Sequence, residues 1–199
     1  MFTGIIEGLG KVVKIEPEKG NIHFYIEAPF TSELKPDQSV SHNGACLTVT
    51  QVFDSCYTVT LIEETLNKTC LGKVGVGDFL NIERAMPASG RFDGHIVQGH
   101  VDQTGICSGI EARDGSTVFN FEYDPDKGNL TVEKGSICVN GVSLTVVDSK
   151  PGFFSVHIIP FTLTHTNFKD LQKGDVVNLE FDIVGKYIQR MLKGGYLDR

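Results

Sequence analysis

Short runs of β-branched and aromatic residues recur along this chain, each closed by a cluster of turn-forming residues. Residues 22–27, 57–62, 118–122 and 154–159 read as strands, because such side chains fit a pleated, half-buried surface. Their borders are rich in Gly, Pro, Asp, Asn and Lys, as strand ends are. Leu47-Thr48-Val49-Thr50-Gln51-Val52 alternates apolar and polar, the period of a strand with one wet face. A density of roughly six strands in 85 residues predicts a small closed barrel. Only the tail changes period. From Lys186, Tyr187, Ile188, Met191 and Leu192 fall on one face of a short helix, with Gly194-Gly195 to stop it. A lone helix of about ten residues is marginal in water, so it needs a partner surface, and another subunit is a good candidate.

The strand pattern is written twice. Asn43-Gly44-Ala45-Cys46-Leu47-Thr48-Val49 returns 97 positions later as Asn140-Gly141-Val142-Ser143-Leu144-Thr145-Val146. At the same offset Thr65-Leu66 meets Thr162-Leu163, Gly77-Asp78 meets Gly174-Asp175, Asn81 meets Asn178 and Glu83 meets Glu180. At the start of each copy the offset is 95, pairing Gly4 with Gly99 and Gly10 with Gly105. The second copy has gained two residues in a connecting segment, where insertions are tolerated. Asn43-Gly44 and Asn140-Gly141 are tight-turn signals, since both residue types accept positive φ. The expected fold is all-β: two tandem, homologous, six-stranded, Greek-key-like barrels and a short carboxy-terminal helix. The first barrel is expected over 1–93, with 85–93 as linker, the second over 94–185, and an oligomerisation helix over 186–199.

The chain has 199 residues, enough for two such modules, with 40% hydrophobic and 22% charged residues. A net charge of -7 argues against nucleic acid, which needs a basic surface. No apolar run reaches the roughly 20 residues of a bilayer span, and the amino terminus lacks the features of a signal peptide. A cytoplasmic chain with no membrane partner is expected. Cysteines 46, 56, 70, 107 and 138 show no C-x-x-C pair, so most are expected to be reduced and buried.

The copies differ where chemistry would show, with a thiol at Cys46 and a hydroxyl at Ser143. Together with Met1-Phe2-Thr3-Gly4-Ile5, Glu83-Arg84-Ala85 and Gly94-His95-Ile96-Val97-Gln98-Gly99-His100-Val101, these motifs resemble the riboflavin synthase (alpha-chain) family over essentially the whole chain. That resemblance implies a homotrimer with active sites between subunits, possible association with lumazine synthase, and no metal or other cofactor. The implied reaction is a dismutation. Two molecules of 6,7-dimethyl-8-ribityllumazine exchange a four-carbon unit to give riboflavin and 5-amino-6-ribitylaminouracil.

Such a reaction needs a base for the acidic C7 methyl of the donor, a nucleophile or polar contact to prime the acceptor, and close positioning of both molecules. The resemblance assigns proton transfer to Ser143 and His100. His100 faces Ile5 in the repeat, so the barrels diverge there too. Cys46 is the candidate for the acceptor, and Asp182 the implied acid nearby. Thr48 and Thr145 follow Cys46 and Ser143 by two positions, on the same strand face. Asn140 stands where some family members carry an acid, and an amide cannot be a general base. Lys134 is expected to reach a neighbouring subunit's ligand. Flat pteridines suit backbone groups at strand edges, so a ligand cradle is expected in each barrel. In the first it comprises Gly4, Ile5, Ile6, Cys46, Leu47, Thr48, Thr60, Ile62, Glu64 and Thr65. In the second it comprises Gly99, His100, Val101, Ser143, Leu144, Thr145, His157, Ile159, Pro160 and Thr162.

His95 and His100 sit on opposite faces if 95–100 is a strand, which is poor metal geometry. Gly8-x-Gly10 lacks the third glycine of a dinucleotide loop. The same double barrel also resembles lumazine protein, a non-catalytic antenna. An antenna can lose its reactive residues. This chain keeps Cys46, His100, Ser143 and Asp182, which favours the enzyme.

Overall fold

The computed structural model describes residues 1–194. Each half closes into a six-stranded antiparallel barrel. The first is built from β1 (Gly8–Glu18), β2 (Asn21–Glu27), β3 (Ser39–His42), β4 (Ala45–Val52), β5 (Tyr57–Leu61) and β6 (Phe79–Arg84). The second uses β7 (Gln103–Arg113), β8 (Ser116–Tyr123), β9 (Ser136–Val139), β10 (Val142–Lys150), β11 (Phe153–Ile158) and β12 (Val176–Phe181). Around the first barrel the strands run β1-β2-β5-β4-β3-β6, and the second repeats that circuit with its own six. The chain from β2 to β3 skips two strands, the Greek-key step the sequence predicts.

Three α-helices complete the described residues: α1 (Glu63–Lys68), α2 (Pro160–His165) and α3 (Ile183–Lys193). None is long and apolar enough to cross a membrane. Helices α1 and α2 were not legible in the sequence, because six residues span less than two turns and give no periodic stripe. Helix α3 begins at Ile183 instead of the expected Lys186, since the Asp182 carboxylate accepts from the Val184 N–H and caps the first turn. Gly194 lies at its carboxy-terminal cap, while Gly195 falls outside the described residues.

Inward side chains fill both barrels. Barrel one packs Phe24, Ile26, Val40, Val59 and Ile82, all 0–1% exposed. Barrel two holds an aromatic cluster in which Phe119 meets Phe168 edge-on at 5.2 Å and Phe121 stacks on Phe154 at 5.2 Å. One rung differs in kind. Barrel one buries His42 against Tyr57, Nε2 to hydroxyl 2.7 Å, where the repeat places Val139 and Phe154 in barrel two. Burial pushes His42 down to about 4, so it is neutral.

The barrels meet across an approximate two-fold axis marked by reciprocal hydrogen bonds. The Asn81 amide donates to the Asn140 carbonyl oxygen, and the Asn178 amide to that of Asn43, both at 2.8 Å. The Cys70 N–H donates to Asn178 Oδ1, and the Asn167 N–H to Asn81 Oδ1, both at 2.7 Å. Positions 70 and 167 are themselves repeat partners. Asn43 and Asn140 each adopt φ 46°, followed by a glycine at φ 83°, so the two tight turns are the same conformation. They touch back to back. A Cβ on Gly44 would stand 2.9 Å from the Gly141 nitrogen, and one on Gly141 the same distance from that of Gly44. Asparagine repeats here because a buried amide must satisfy donors and acceptors on both sides of the axis.

Candidate active site

The segments that open the two modules cross the axis and exchange places. Phe2 bridges Val97, its own repeat partner, as a two-fold axis requires. Beyond that bridge the Ser143 N–H donates to the Gly4 carbonyl oxygen at 2.8 Å, and the Cys46 N–H to that of Gly99 at 2.8 Å. Ile6 packs against the core of barrel two and Val101 against that of barrel one. Residues 4–6 therefore lie over Ser143, and residues 99–101 over Cys46. This corrects the expected cradles, which kept each opening segment with its own module. The Phe2–Val97 bridge carries each strap past its own module, and the hydrogen bonds of Ser143 to Gly4 and of Cys46 to Gly99 hold it on the other.

Two buried carboxylates hold the straps. Glu83 accepts from the Thr3 N–H at 2.6 Å, the Thr3 hydroxyl at 2.8 Å and the Gly4 N–H at 2.9 Å. Glu180 accepts from the N–H groups of Gln98, Gly99 and His100 at 2.6, 2.8 and 2.8 Å. These donors are taken from any sheet ladder, and Gly99 sits at φ 80°. Residues 94–102 are accordingly irregular, with a single bridge at Val97, and not the strand the sequence suggested.

Burial raises both carboxyls, Glu180 up to about 7, while its backbone donors and Lys186 pull it down. The folded-state value lies above the usual 4.5, so the native chain holds a proton there that the unfolded chain releases. That stability is complete below about pH 4.5 and lost as pH rises through about 7, a change on the order of 3 kcal/mol. A Glu180→Gln variant should lose this dependence. Thermal melts of both proteins between pH 5 and 8 check it, and parallel profiles would refute it.

On β4 and β10 the reactive positions face outward. Cys46 and Ser143 are half-buried, Thr48 and Thr145 exposed. Val49 pairs with Val59 and Val146 with Val156, which puts Thr48 beside Thr60 and Thr145 beside His157. Ile62 and Ile159, exposed at 53% and 57%, precede α1 and α2. Glu64 and Thr65 lie in α1, Pro160 and Thr162 in α2. Each barrel thus gathers a strand edge, a helix start and a borrowed strap on its outer face. Leu47 is buried at 6% and Leu144 packs on the core of barrel two, so both present only backbone. Lys134 stands apart, in an exposed left-handed turn before β9.

Ser143 and His100 are not a pair. The Ser143 hydroxyl lies 2.7 Å from His95 Nδ1, whereas His100 belongs to the strap over Cys46. Burial lowers the His95 pKa, and the charge of Asp182 pulls it back up, so a serine, an imidazole and a carboxylate gather at barrel two. A neutral imidazole held to a hydroxyl can accept its proton. His95 was missed as a site residue because it lies ahead of the stretch over which the two copies match, from Gly4 and Gly99 onward.

The family profile described as Lumazine binding domain matches residues 3–85 and again 98–182. A riboflavin synthase of Actinobacillus pleuropneumoniae is 42% identical over 193 residues, covering 96% of this chain and 90% of the relative. One from Mycobacterium tuberculosis is 38% identical over 198 residues, covering 97% of this chain and 98% of the relative. Among solved structures, LumP in complex with 6,7-dimethyl-8-(1'-D-ribityl) lumazine superposes with a TM-score of 0.82 at 20% identity, over 90% of this chain and 98% of that one. LumP with riboflavin gives 0.82 at 22% identity, over 91% and 99%; at such identity the likeness is one of fold. With two matched lumazine-binding domains and curated enzyme relatives along almost its full length, the chain belongs to the riboflavin synthase family.

Proposed function

We propose that this chain is the dismutase itself, converting two molecules of 6,7-dimethyl-8-ribityllumazine into riboflavin and 5-amino-6-ribitylaminouracil. One observation carries the reading. Equivalent outer faces of two homologous barrels carry different side chains: Cys46 under the His100 strap, and Ser143 with His95 and Asp182. One molecule on each face gives two copies of one compound two environments. Ser143 and His95 serve as the proton-transfer pair at the donor methyl, steadied by Asp182. Cys46 meets the acceptor, with His100 beside it. Thr48, Thr60, Thr145 and His157 bind ligand edges, and the straps supply backbone N–H and C=O groups.

These faces point outward, so a donor and an acceptor come face to face when barrels of different subunits meet. The exposed Tyr187, Ile188, Met191 and Leu192 of α3 supply the apolar face for a homotrimer. Lys134 reaches across to a neighbour's ligand in that assembly. The reading places the enzyme in the cytoplasm, where association with lumazine synthase would deliver its substrate.

The test is to mix the purified protein with 6,7-dimethyl-8-ribityllumazine alone and follow the visible spectrum. The expected result is one riboflavin for every two lumazines consumed, with no added metal or nicotinamide. Binding with a fluorescence change and no consumption would make the protein an antenna.

A further inference from the structure

A polar groove of about 670 Å³ runs along the outer face of barrel one from Glu16 and Glu18 past His23, Tyr25 and Thr58 to Thr60. Among its lining residues is a relay. His23 Nδ1 lies 2.9 Å from the Thr60 hydroxyl, and Nε2 lies 3.0 Å from the Glu18 carboxylate. Thr60 is also the residue beside Thr48 in the cradle of barrel one, so the groove and the cradle share one side chain. Barrel two has no such device. Its matching cross-strand pair is Val118–His157, where barrel one has His23–Thr60. The imidazole there lies on the ligand strand itself, with a valine behind it.

We propose that the Glu18–His23–Thr60 relay is a positioning device that sets which hydrogen-bonding face Thr60 turns to the ligand of barrel one. The proposal rests on the cradle reading above. A carboxylate only accepts, so Glu18 keeps the imidazole proton on Nε2, and Nδ1 is left as an acceptor. The Thr60 O–H then donates to Nδ1 and is spent. Only oxygen lone pairs remain for the ligand, so the groove selects a molecule that offers a donor there, either a polyol hydroxyl or an imide N–H. With the proton on Nδ1 instead, the ring donates, Thr60 accepts, and its O–H swings out to oppose that donor. The groups facing His23 are Glu16 and Glu18 from β1, Thr60 from β5 and Tyr25 along β2. Glu16 is engaged by the Tyr25 hydroxyl at 2.6 Å and by Lys14, so Glu18 is the carboxylate left to the imidazole.

The experiment is a fluorescence titration of the full-length protein with riboflavin at pH 8. His23→Val, which copies Val118, should bind about threefold to tenfold more weakly. Glu18→Lys, at an exposed position, presents only donors to Nε2 and drives the proton onto Nδ1. It should bind as weakly as His23→Val, whereas Glu18→Asp, which keeps the acceptor, should bind as wild type. If both His23→Val and Glu18→Lys bind as wild type, the relay is refuted. Thr60→Val separates the two levels: weak binding there with normal His23 and Glu18 variants leaves the cradle standing without the relay. Normal binding by Thr60→Val removes Thr60 from the cradle itself.

Discussion

Replacing His95 by asparagine lowers turnover of ribityllumazine by two to four orders of magnitude and leaves both barrels folded. The range is that of a positioned acid–base group. Asparagine keeps a polar atom near the place of Nδ1, so the Ser143 hydroxyl, 2.7 Å from that atom in the native chain, retains a partner. What is lost is a group that can take and return a proton. Burial holds the His95 pKa below the ordinary imidazole value, so the base form persists at neutral pH and is lost only on acidification. Ser143→Ala should cost a similar factor, and the double variant little more than either single one, because residues that act as a unit are not additive. Steady-state rates with parallel melting curves make the check. Activity within about threefold of wild type in His95→Asn would remove the pair from the chemistry.

Substituting alanine for Gly99 destabilises the protein by about 3–4 kcal/mol. Part of this is conformational, since Gly99 sits at φ 80°, where an L side chain costs roughly 1–2 kcal/mol. The rest is crowding. The new Cβ would lie 2.5 Å from Cys46 Cβ, 2.9 Å from the Phe2 ring and 3.0 Å from the Cys46 nitrogen, and overpacking of this kind costs about 1–3 kcal/mol. The strap would have to lift off β4, taking the Gly99–Cys46 hydrogen bond with it. Gly20 is the control: its φ is 89° and a Cβ there meets nothing within 4 Å. Urea unfolding should show Gly20→Ala losing only the conformational part. Equal losses in the two variants would mean that the strap is not closely packed.

Much of the fold was legible because the chain states it twice. A constant offset aligned Asn43 with Asn140 and Glu83 with Glu180, and alternation at 47–52 gave the outward face that carries Cys46 and Thr48. The exchange of straps was not legible, for a physical reason. Repetition says that Gly4 and Gly99 are equivalent, and it says so equally well whether each closes its own barrel or the other. The choice is made by contacts between residues some 140 positions apart, such as Gly4 with Ser143, which leave no trace in local periodicity. Nor does the repeat signal that folding brings Ser143 to His95 and carries His100 to Cys46. Helices α1 and α2 escaped because their formation depends on the barrels they flank and not on a stripe of their own.

Two straps crossing a two-fold axis is the geometry of a symmetric dimer, here fused into one polypeptide. A single-module ancestor with this fold could have completed its groove only by lending its first residues to a second copy and borrowing them back. In such a pair every change on one side appears on the other. In one polypeptide that constraint is lifted while the interface is kept: His95 lies in the join itself, ahead of the stretch over which the two copies match from Gly4 and Gly99 onward. The connecting segment is thus more than a tether. It is where an enzyme needing two unlike partners for two identical molecules could first become asymmetric.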